Sequence, residues 1–186
     1  NILELASSYR FASTSPNIVL SIPRSLQSKL DEYVSIIDYG AVPDGVTDCL
    51  EAFQSAFLEL FQNADSRFKK ILLIPNGVYV FSGNLNIPGT ALIHGETQSG
   101  AVLDIGSNNI LFITEDGKSV AEFAVDGSDR PTNVQISNIT IRHTDGQLVL
   151  TGVANSNFDN VRFVSDYILA DAVGTIEDHT ASVYWE

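Results

Sequence analysis

Residues 34–48 read Val34-Ser-Ile-Ile-Asp-Tyr-Gly-Ala-Val-Pro-Asp-Gly-Val-Thr-Asp48, and an amphipathic segment follows at once. The apolar residues of Val34–Ile37 predict a short strand. Gly40, Pro43 and the Asp44-Gly45 pair then predict a turn, because these residue types favour tight backbone bends. Taken alone, this order is also compatible with an ordinary strand-to-helix corner of an α/β domain.

The residues after the turn predict a helix. Thr47 or Asp48 supplies an N-cap oxygen, and Glu51 follows Asp48 by the three positions that a capping box requires. Apolar side chains then recur every three or four residues and form one helical stripe: Leu50, Phe53, Phe57, Leu60 and Phe61. We therefore expect a helix over about residues 48–62.

The sequence of the turn resembles the motif at the start of the β-helix in the pectate-lyase-like superfamily of right-handed parallel β-helices, roughly V-x-D-[FY]-G-A-x-x-D-G-x-[TS]-D. The matching residues are Val34 or Ile36, Asp38, Tyr39, Gly40, Ala41, Asp44, Gly45, Thr47 and Asp48. The segment Ser25–Tyr33 is similar to the short neck that precedes this motif in bacteriophage tailspikes. In the resembling family, the residues that match Asp44, Gly45 and Asp48 set the turn and the helix cap, and we expect the same role here.

This resemblance implies an all-β fold, a right-handed parallel β-helix (solenoid) with an N-terminal neck helix and a capping α-helix. We expect an N-terminal arm and neck helix over residues 1–33. We expect the start of the β-helix over residues 34–186, truncated at its C-terminal end. The resemblance implies much less about activity, because this fold hosts lyases, hydrolases and plain binding proteins.

Leu26, Leu30 and Tyr33 predict the neck helix, since they fall on one helical face. So short a helix needs a partner surface. That surface is either the necks of two further copies in a trimer or the helix's own domain, and the spacing leaves both open.

Short strands broken by turns such as Pro75-Asn76-Gly77 follow from Ile71 onward. Strands this frequent, without intervening helices, are not βαβ units, so a sandwich or a solenoid remains. A repeat favours the solenoid, because Ile136–Ile141 matches Phe158–Phe163 at an offset of 22 positions. The expected interior columns are Ile139, Val161 and Val183, and Ile141, Phe163 and Trp185. Asn138 and Asn160 are expected to stack as an asparagine ladder, and the earlier coils are expected to be irregular.

The chain is acidic, with 10 basic and 23 acidic residues and a formal net charge of −13. This charge argues against nucleic acid and against an anionic membrane surface as partners. The apolar runs are too short for membrane insertion. The single Cys49 excludes an intrachain disulfide framework and is expected to be a buried thiol.

Glycosidic hydrolysis needs two carboxyl groups about 5 to 10 Å apart, and neighbouring rungs about 4.8 Å apart can supply that separation. The acids at outward or turn positions are Asp104, Glu115, Asp116, Glu122, Asp126, Asp129, Asp145, Asp159, Asp166, Asp171, Glu177 and Asp178. Most are expected to be solvated surface carboxylates, so the catalytic residues stay unknown.

The loop Asp126–Pro131 combines two acids and a base, and it either binds a sugar or a cation or, as we favour, only forms a turn. His94, His143 and His179 share no metal spacing, so we expect no metal and no cofactor. His94 is expected at a turn or in the core. The candidate outward platforms for sugar rings are Tyr167 and Tyr184, whereas Trp185 is expected in the core.

The resemblance favours the N-terminal part of a phage tailspike or appendage subunit that recognises, and in full length degrades, a host cell-surface polysaccharide. It implies a homotrimer, other virion tail proteins as partners and a place in the virion. A secreted polysaccharide lyase or glycoside hydrolase of the same fold, located extracellularly, is one alternative. A non-catalytic adhesive β-helix is another.

Overall fold

A computed structural model describes residues 25, 33–62, 70–114, 117, 130–150, 152–165, 168–170, 176–178 and 183–184. Three sheets of parallel strands run side by side along one stack of coils. This arrangement confirms the predicted parallel β-helix and rules out the sandwich. The predicted arm and neck helix lie outside the described residues, except for Ser25 and Tyr33.

The first sheet contains β1 (Tyr33–Ser35), β3 (Ile71–Ile74), β6 (Leu92–Gly95), β9 (Gln135–Ser137) and β12 (Asn157–Asp159). The second contains β2 (Asp44–Asp48), β4 (Gly77–Val80), β7 (Ala101–Gly106), β10 (Thr140–His143) and β13 (Arg162–Ser165). The third contains β5 (Leu85–Pro88), β8 (Ile110–Ile113), β11 (Leu148–Val149) and β16 (Val183–Tyr184). An antiparallel pair, β14 (Ile168–Ala170) with β15 (Ile176–Asp178), forms a separate ribbon that the sequence did not indicate.

The chain passes through the three sheets in turn, and each round of the sheets makes one coil. Coil 1 has β1 and β2, coil 2 has β3 to β5, coil 3 has β6 to β8, and coil 4 has β9 to β11. Coil 5 has β12, β13 and β16. Parallel neighbours in each sheet are therefore always successive coils, as a solenoid requires.

Helix α1 (Leu50–Phe57) continues as a π-helical turn over Leu58–Gln62, which confirms the helix expected near residues 48–62. Its buried aromatic side chains close the first end of the stack. The Phe53 ring packs edge-on against Tyr79 and Phe81, with ring centroids 5.8 and 5.0 Å apart. These contacts join the helix to coil 2 and complete the core.

Two local expectations at this end are wrong. Cys49 occupies the N-cap position, and Asp48 accepts a hydrogen bond from the Leu50 N–H at 3.1 Å instead of forming a box with Glu51. The capping box lies earlier, where the Asp38 carboxylate accepts from the Ser35 N–H at 3.1 Å and starts a 3₁₀ turn over Ile36–Tyr39. The strand predicted over Val34–Ile37 therefore ends at Ser35.

The 22-residue repeat is confirmed between coils 4 and 5. Ile136 pairs with Phe158 and Ile141 with Phe163. The third rung is wrong, because Val183 pairs with Leu148 of the third sheet, whereas Trp185 lies outside the described residues. The long chain segment between β13 and β16, which includes the antiparallel ribbon, displaces the period there.

The earlier coils are irregular, as expected. Leu72 pairs with Ile93, 21 positions later, whereas Leu92 pairs with Gln135, 43 positions later. Tyr33, which the sequence placed on the neck helix, belongs to β1 and is 55% exposed. Among the described helical segments, none is long and apolar enough to cross a membrane.

Candidate functional site

The outer face of the first sheet changes character along the stack. Side chains alternate between the two faces of a strand, so this face has two outward columns. The first column contains Tyr33, Ile71, Leu92, Gln135 and Asn157, and the second contains Ser35, Leu73, His94, Ser137 and Asp159. The face is mainly apolar over coils 1 to 3 and entirely polar over coils 4 and 5.

An amide ladder borders the polar part at the corner between the first and second sheets. The Asn160 amide donates to Asn138 Oδ1 at 2.8 Å, which confirms the predicted asparagine ladder. Both asparagines have positive φ, 55° at Asn138 and 53° at Asn160, a conformation that asparagine tolerates better than most residues. Gln98 extends the ladder, because its Nε2 donates to Asn160 Oδ1 at 2.8 Å and to the Asn160 carbonyl at 3.2 Å.

The Asn160 carbonyl fixes the direction of this whole chain of hydrogen bonds. A carbonyl only accepts, so the Gln98 atom facing it is the amide nitrogen, and Asn160 and Asn138 are then oriented in turn. The Asn138 amide nitrogen lies 3.5 Å from His94 Nε2, which places an acceptor at Nε2. With Nε2 as the acceptor, the neutral His94 ring has its proton on Nδ1 and donates it to Ser137 Oγ, 2.8 Å away.

This direction decides what Ser137 can do. A serine nucleophile needs a base that accepts its proton, whereas His94 donates to Ser137. The arrangement is therefore a positioned hydroxyl rather than a nucleophile and its base. The Ser137 proton remains available to an acceptor outside the protein, since no partner for it lies among the described residues. His94 was expected at a turn or in the core, but it lies half-buried on the outer face of β6.

Asp104 and Arg142 form an ion pair on the outer face of the second sheet. Arg142 Nη2 lies 2.7 Å and Nε 3.0 Å from Asp104 Oδ2, and the two side chains are 33% and 23% exposed respectively. The neighbours of Asp104 in the ladder are Val80 and Arg142. Asp104 thus joins coils 3 and 4, and neither of its two ladder neighbours is a carboxylate.

The predicted acids are not brought together where the structure describes them. In every described strand pair, no carboxylate stands opposite another. Asp145 and Asp159 are exposed, one in a bend after β10 and the other on β12. For the remaining acids, either the whole residue or its side chain lies outside the part of the chain that the structure describes: Glu115, Asp116, Glu122, Asp126, Asp129, Asp166, Asp171, Glu177 and Asp178. The same holds for His179, for the side chains of Tyr167 and Tyr184, and for the loop Asp126–Pro131 before Arg130.

The acids of the opening motif have structural roles, as expected. Asp44 Oδ1 accepts from the backbone N–H groups of Thr47 at 2.7 Å and Val46 at 2.8 Å, and these bonds lower the pKa of Asp44. Asp48 Oδ2 accepts from the Ser82 hydroxyl at 2.6 Å, which is the main reason why the pKa of Asp48 is also lowered. Asp44 thus shapes the turn, and Asp48 ties the helix start to coil 2.

Cys49 is fully buried, as predicted, and its burial raises the pKa of the thiol. Its Sγ lies 3.3 Å from the Thr47 carbonyl and 3.4 Å from the Val42 carbonyl. Within the described residues, no three His, Cys, Asp or Glu side chains are grouped so that they could hold a metal ion.

Sequence reasoning missed several polar residues of the outer face and of the ladder. Gln98, Gln135, Ser137 and Asn157 were not singled out. The signal was present, because the 22-residue offset that aligned Asn138 with Asn160 also aligns Gln135 with Asn157 and Ser137 with Asp159.

Residues 33–166 match the family model described as rhamnogalacturonase A/epimerase, pectate lyase-like. The chain therefore belongs to this pectate-lyase-like family. The fold is similar to that of ORF18 of Geobacillus virus E2, with a TM-score of 0.56 and 17% identity over 84% of this chain. The chain spans 32% of that viral protein. The comparison with curated proteins gave no match.

Two further solved structures are more distant. One is the catalytic unit of a GH87 α-1,3-glucanase from Streptomyces thermodiastaticus, with a TM-score of 0.34 and 18% identity, over 72% of this chain and 33% of that one. The other is PfbA, a surface adhesin of Streptococcus pneumoniae, with a TM-score of 0.36 and 16% identity, over 71% of this chain and 38% of that one. Both TM-scores are too low to add to the family assignment.

Proposed function

We propose that this chain is the first part of a phage tail appendage subunit that recognises a polysaccharide on the host cell surface. The observation that carries the proposal is the polar outer face of coils 4 and 5. It lies on a fold whose family is described as rhamnogalacturonase A/epimerase, pectate lyase-like. Hydroxyl, amide and carboxylate side chains are the groups that exchange hydrogen bonds with sugar hydroxyls.

One further observation supports a phage role. The described coils share their fold with a protein of a Geobacillus virus, although this chain spans only a third of it. The net charge of −13 also disfavours nucleic acid as the partner. The proposal includes a homotrimer, contact with other virion tail proteins and a place in the virion. It assigns any glycan-cleaving residues to other parts of the full-length protein.

A non-catalytic adhesive β-helix is the second candidate. It is favoured by the strand pairs of the described residues, in which Asp104 and Asp159 face Arg142 and Ser137 instead of a second acid. Incubation of the full-length protein with the host polysaccharide, followed by assay of new reducing ends and of unsaturated sugar ends, separates the two. New ends identify an enzyme, and binding without new ends identifies an adhesin.

The recognition itself is tested on cells. Labelled full-length protein is expected to bind intact host bacteria and to lose most of this binding on cells whose surface polysaccharide has been removed. Equal binding to both cell preparations would contradict the proposal. Light scattering of the same preparation is expected to give three times the subunit mass, and antibodies against the chain are expected to label phage tails. A monomer that leaves tails unlabelled would favour the secreted enzyme.

A further inference from the structure

Four polar side chains form a two-by-two array on the outer face of coils 4 and 5. Gln135 and Ser137 belong to β9, Asn157 and Asp159 belong to β12, and each pair stands in register. Gln135, Asn157 and Asp159 are exposed, whereas Ser137 is half-buried. We call these four residues the polar quartet.

Within the part of the chain that the structure describes, the quartet has unused hydrogen-bonding capacity. Among the described residues, no side chain accepts from or donates to the Gln135 amide, the Asn157 amide or the Asp159 carboxylate. The Ser137 hydroxyl accepts from His94 and keeps its own proton for an outside acceptor. The array thus offers donors from three residues and a strong acceptor from the fourth.

The spacing of the quartet is set by rigid strands. Residues two positions apart along a strand are about 6.6 Å apart, and neighbouring rungs are about 4.8 Å apart. Ser137 is further oriented by His94, which the ladder from Gln98 through Asn160 and Asn138 keeps in one tautomer. A site held in its binding geometry before the ligand arrives loses less entropy on binding.

We propose that the polar quartet binds an uncharged sugar unit of a polysaccharide, with Asp159 accepting from a sugar hydroxyl and Ser137 donating to a sugar oxygen. The strands of this face have no Lys or Arg among their described residues, and Asp159 repels a uronic acid or a sulfated sugar. The apolar part of the same face has Leu92 next to Gln135 in one column and Leu73 beyond His94 in the other, and it gives the less polar face of a neighbouring sugar a place to pack. This inference rests on the proposed function and names the ligand class and its site.

The test uses the full-length protein and two matched probe sets, neutral hexose oligosaccharides and oligosaccharides of uronic acids. Calorimetric titration with the best neutral probe is expected to show about tenfold weaker binding for Ser137→Ala, which loses one hydrogen bond, and for Asp159→Asn, which replaces a charged acceptor by a weaker neutral one. Asp145→Asn is the matched control, because it makes the same charge change on an exposed carboxylate outside this face. It is expected to leave binding unchanged.

Four outcomes decide between these possibilities. Weaker binding in both quartet variants with an unchanged control supports the site. Tighter binding of a uronic acid probe than of the best neutral probe by the parent protein overturns the uncharged ligand. Unchanged binding of intact host cells by both variants overturns the site while the proposed function stands, whereas a parent protein that binds neither cells nor any probe overturns the proposed function itself.

Discussion

The two ends of the described stack differ in how their inward side chains are covered. At the first end, Phe53 and Phe61 are fully buried and Phe57 is 2% exposed, because the helical segment that contains them packs this face on the core. At coil 5, the inward side chains of Phe158 and Phe163 are only half-buried. An inward residue of a solenoid is fully covered only when it has a neighbour on both sides. The first end replaces the missing coil by a helix, and coil 5 has one described coil beside it.

The two regions also use different interactions. The first end is a single aromatic cluster around Phe53, which occurs once and depends on side-chain shape. Coils 4 and 5 repeat one another and add a polar ladder between Asn138 and Asn160 at the corner. Removing one side chain from each region therefore tests whether the aromatic cluster or the polar ladder contributes more to the free energy of unfolding.

The largest effect is expected at the closed end. Phe53→Ala removes a fully buried ring that contacts Phe57, Tyr79 and Phe81, and we expect the free energy of unfolding to fall by about 3 to 5 kcal/mol. Urea denaturation followed by circular dichroism measures this. Leu58→Ala, on the exposed side of the same helical segment, is the control and is expected to change stability by less than about 0.5 kcal/mol. Equal losses would mean that the helix does not cover the core.

A smaller loss is expected at the ladder. Asn160→Ala removes the hydrogen bonds to Asn138 and from Gln98 and places alanine at a positive φ, so we expect a loss of about 1 to 3 kcal/mol. Asn160→Gly removes the same bonds without the backbone strain and should cost less. A loss in Asn157→Ala as large as in Asn160→Ala would show that the ladder adds nothing beyond an ordinary surface residue of coil 5.

Coil 4 contains a residue whose replacement is expected to stabilise the protein. His143 is 7% exposed, and neither ring nitrogen has a hydrogen-bond partner in the described part of the chain. His143→Leu removes these buried polar atoms, and we expect the free energy of unfolding to rise by about 1 kcal/mol. His94→Leu, on the outer face, is expected to lower it. A loss of stability in His143→Leu would indicate that the ring nitrogens have a partner, such as a buried water.

The smallest effect concerns pH at the first end. Hydrogen bonds from Thr47 and Val46 hold the pKa of Asp44 below its ordinary value. A carboxylate with a lowered folded-state pKa stabilises the fold above its unfolded-state pKa, and this contribution is lost as the pH falls through the folded-state value. We expect the melting temperature of Asp44→Asn to fall less than that of the parent between neutral and acidic pH. Asp145→Asn should behave like the parent, and an Asp44→Asn curve parallel to the parent's would contradict the prediction.

The sequence was sufficient for the parts of the fold that depend on local pattern. The opening motif and the stripe that begins at Leu50 predicted the capping helix, and the matching runs at Ile136 and Phe158 predicted two rungs and their ladder. The strand register of the first coils could not be predicted in this way. Their loops differ in length, so that Leu72 and Leu92 pair with residues 21 and 43 positions later. Such offsets follow from the three-dimensional path of each loop, and no period reports them.

The candidate site was predicted only in part. The asparagines were found, but His94 and Gln98 come from coil 3 and reach the ladder through loops of unrelated length. The tautomer of His94 depends on a backbone carbonyl at Asn160, 66 positions away in the sequence. The helix start was predicted only in part, since Thr47 and Asp48 both have suitable oxygens. Only the fold shows that Thr47 bonds to Asp44, whereas Asp48 accepts from the Leu50 N–H.

The irregular pairing of β2 has a consequence for the behaviour of the protein at high concentration. Asp44 and Asp48 pair with Val78 and Val80, so five residues of β2 face three of β4, and Val46 is 83% exposed on the bulge between them. A regular parallel strand at the first position would act as a template on which another molecule could add its own strands. The bulge and its two carboxylates make β2 a poor template. The opening motif therefore disfavours head-to-tail addition of a second molecule at the second sheet.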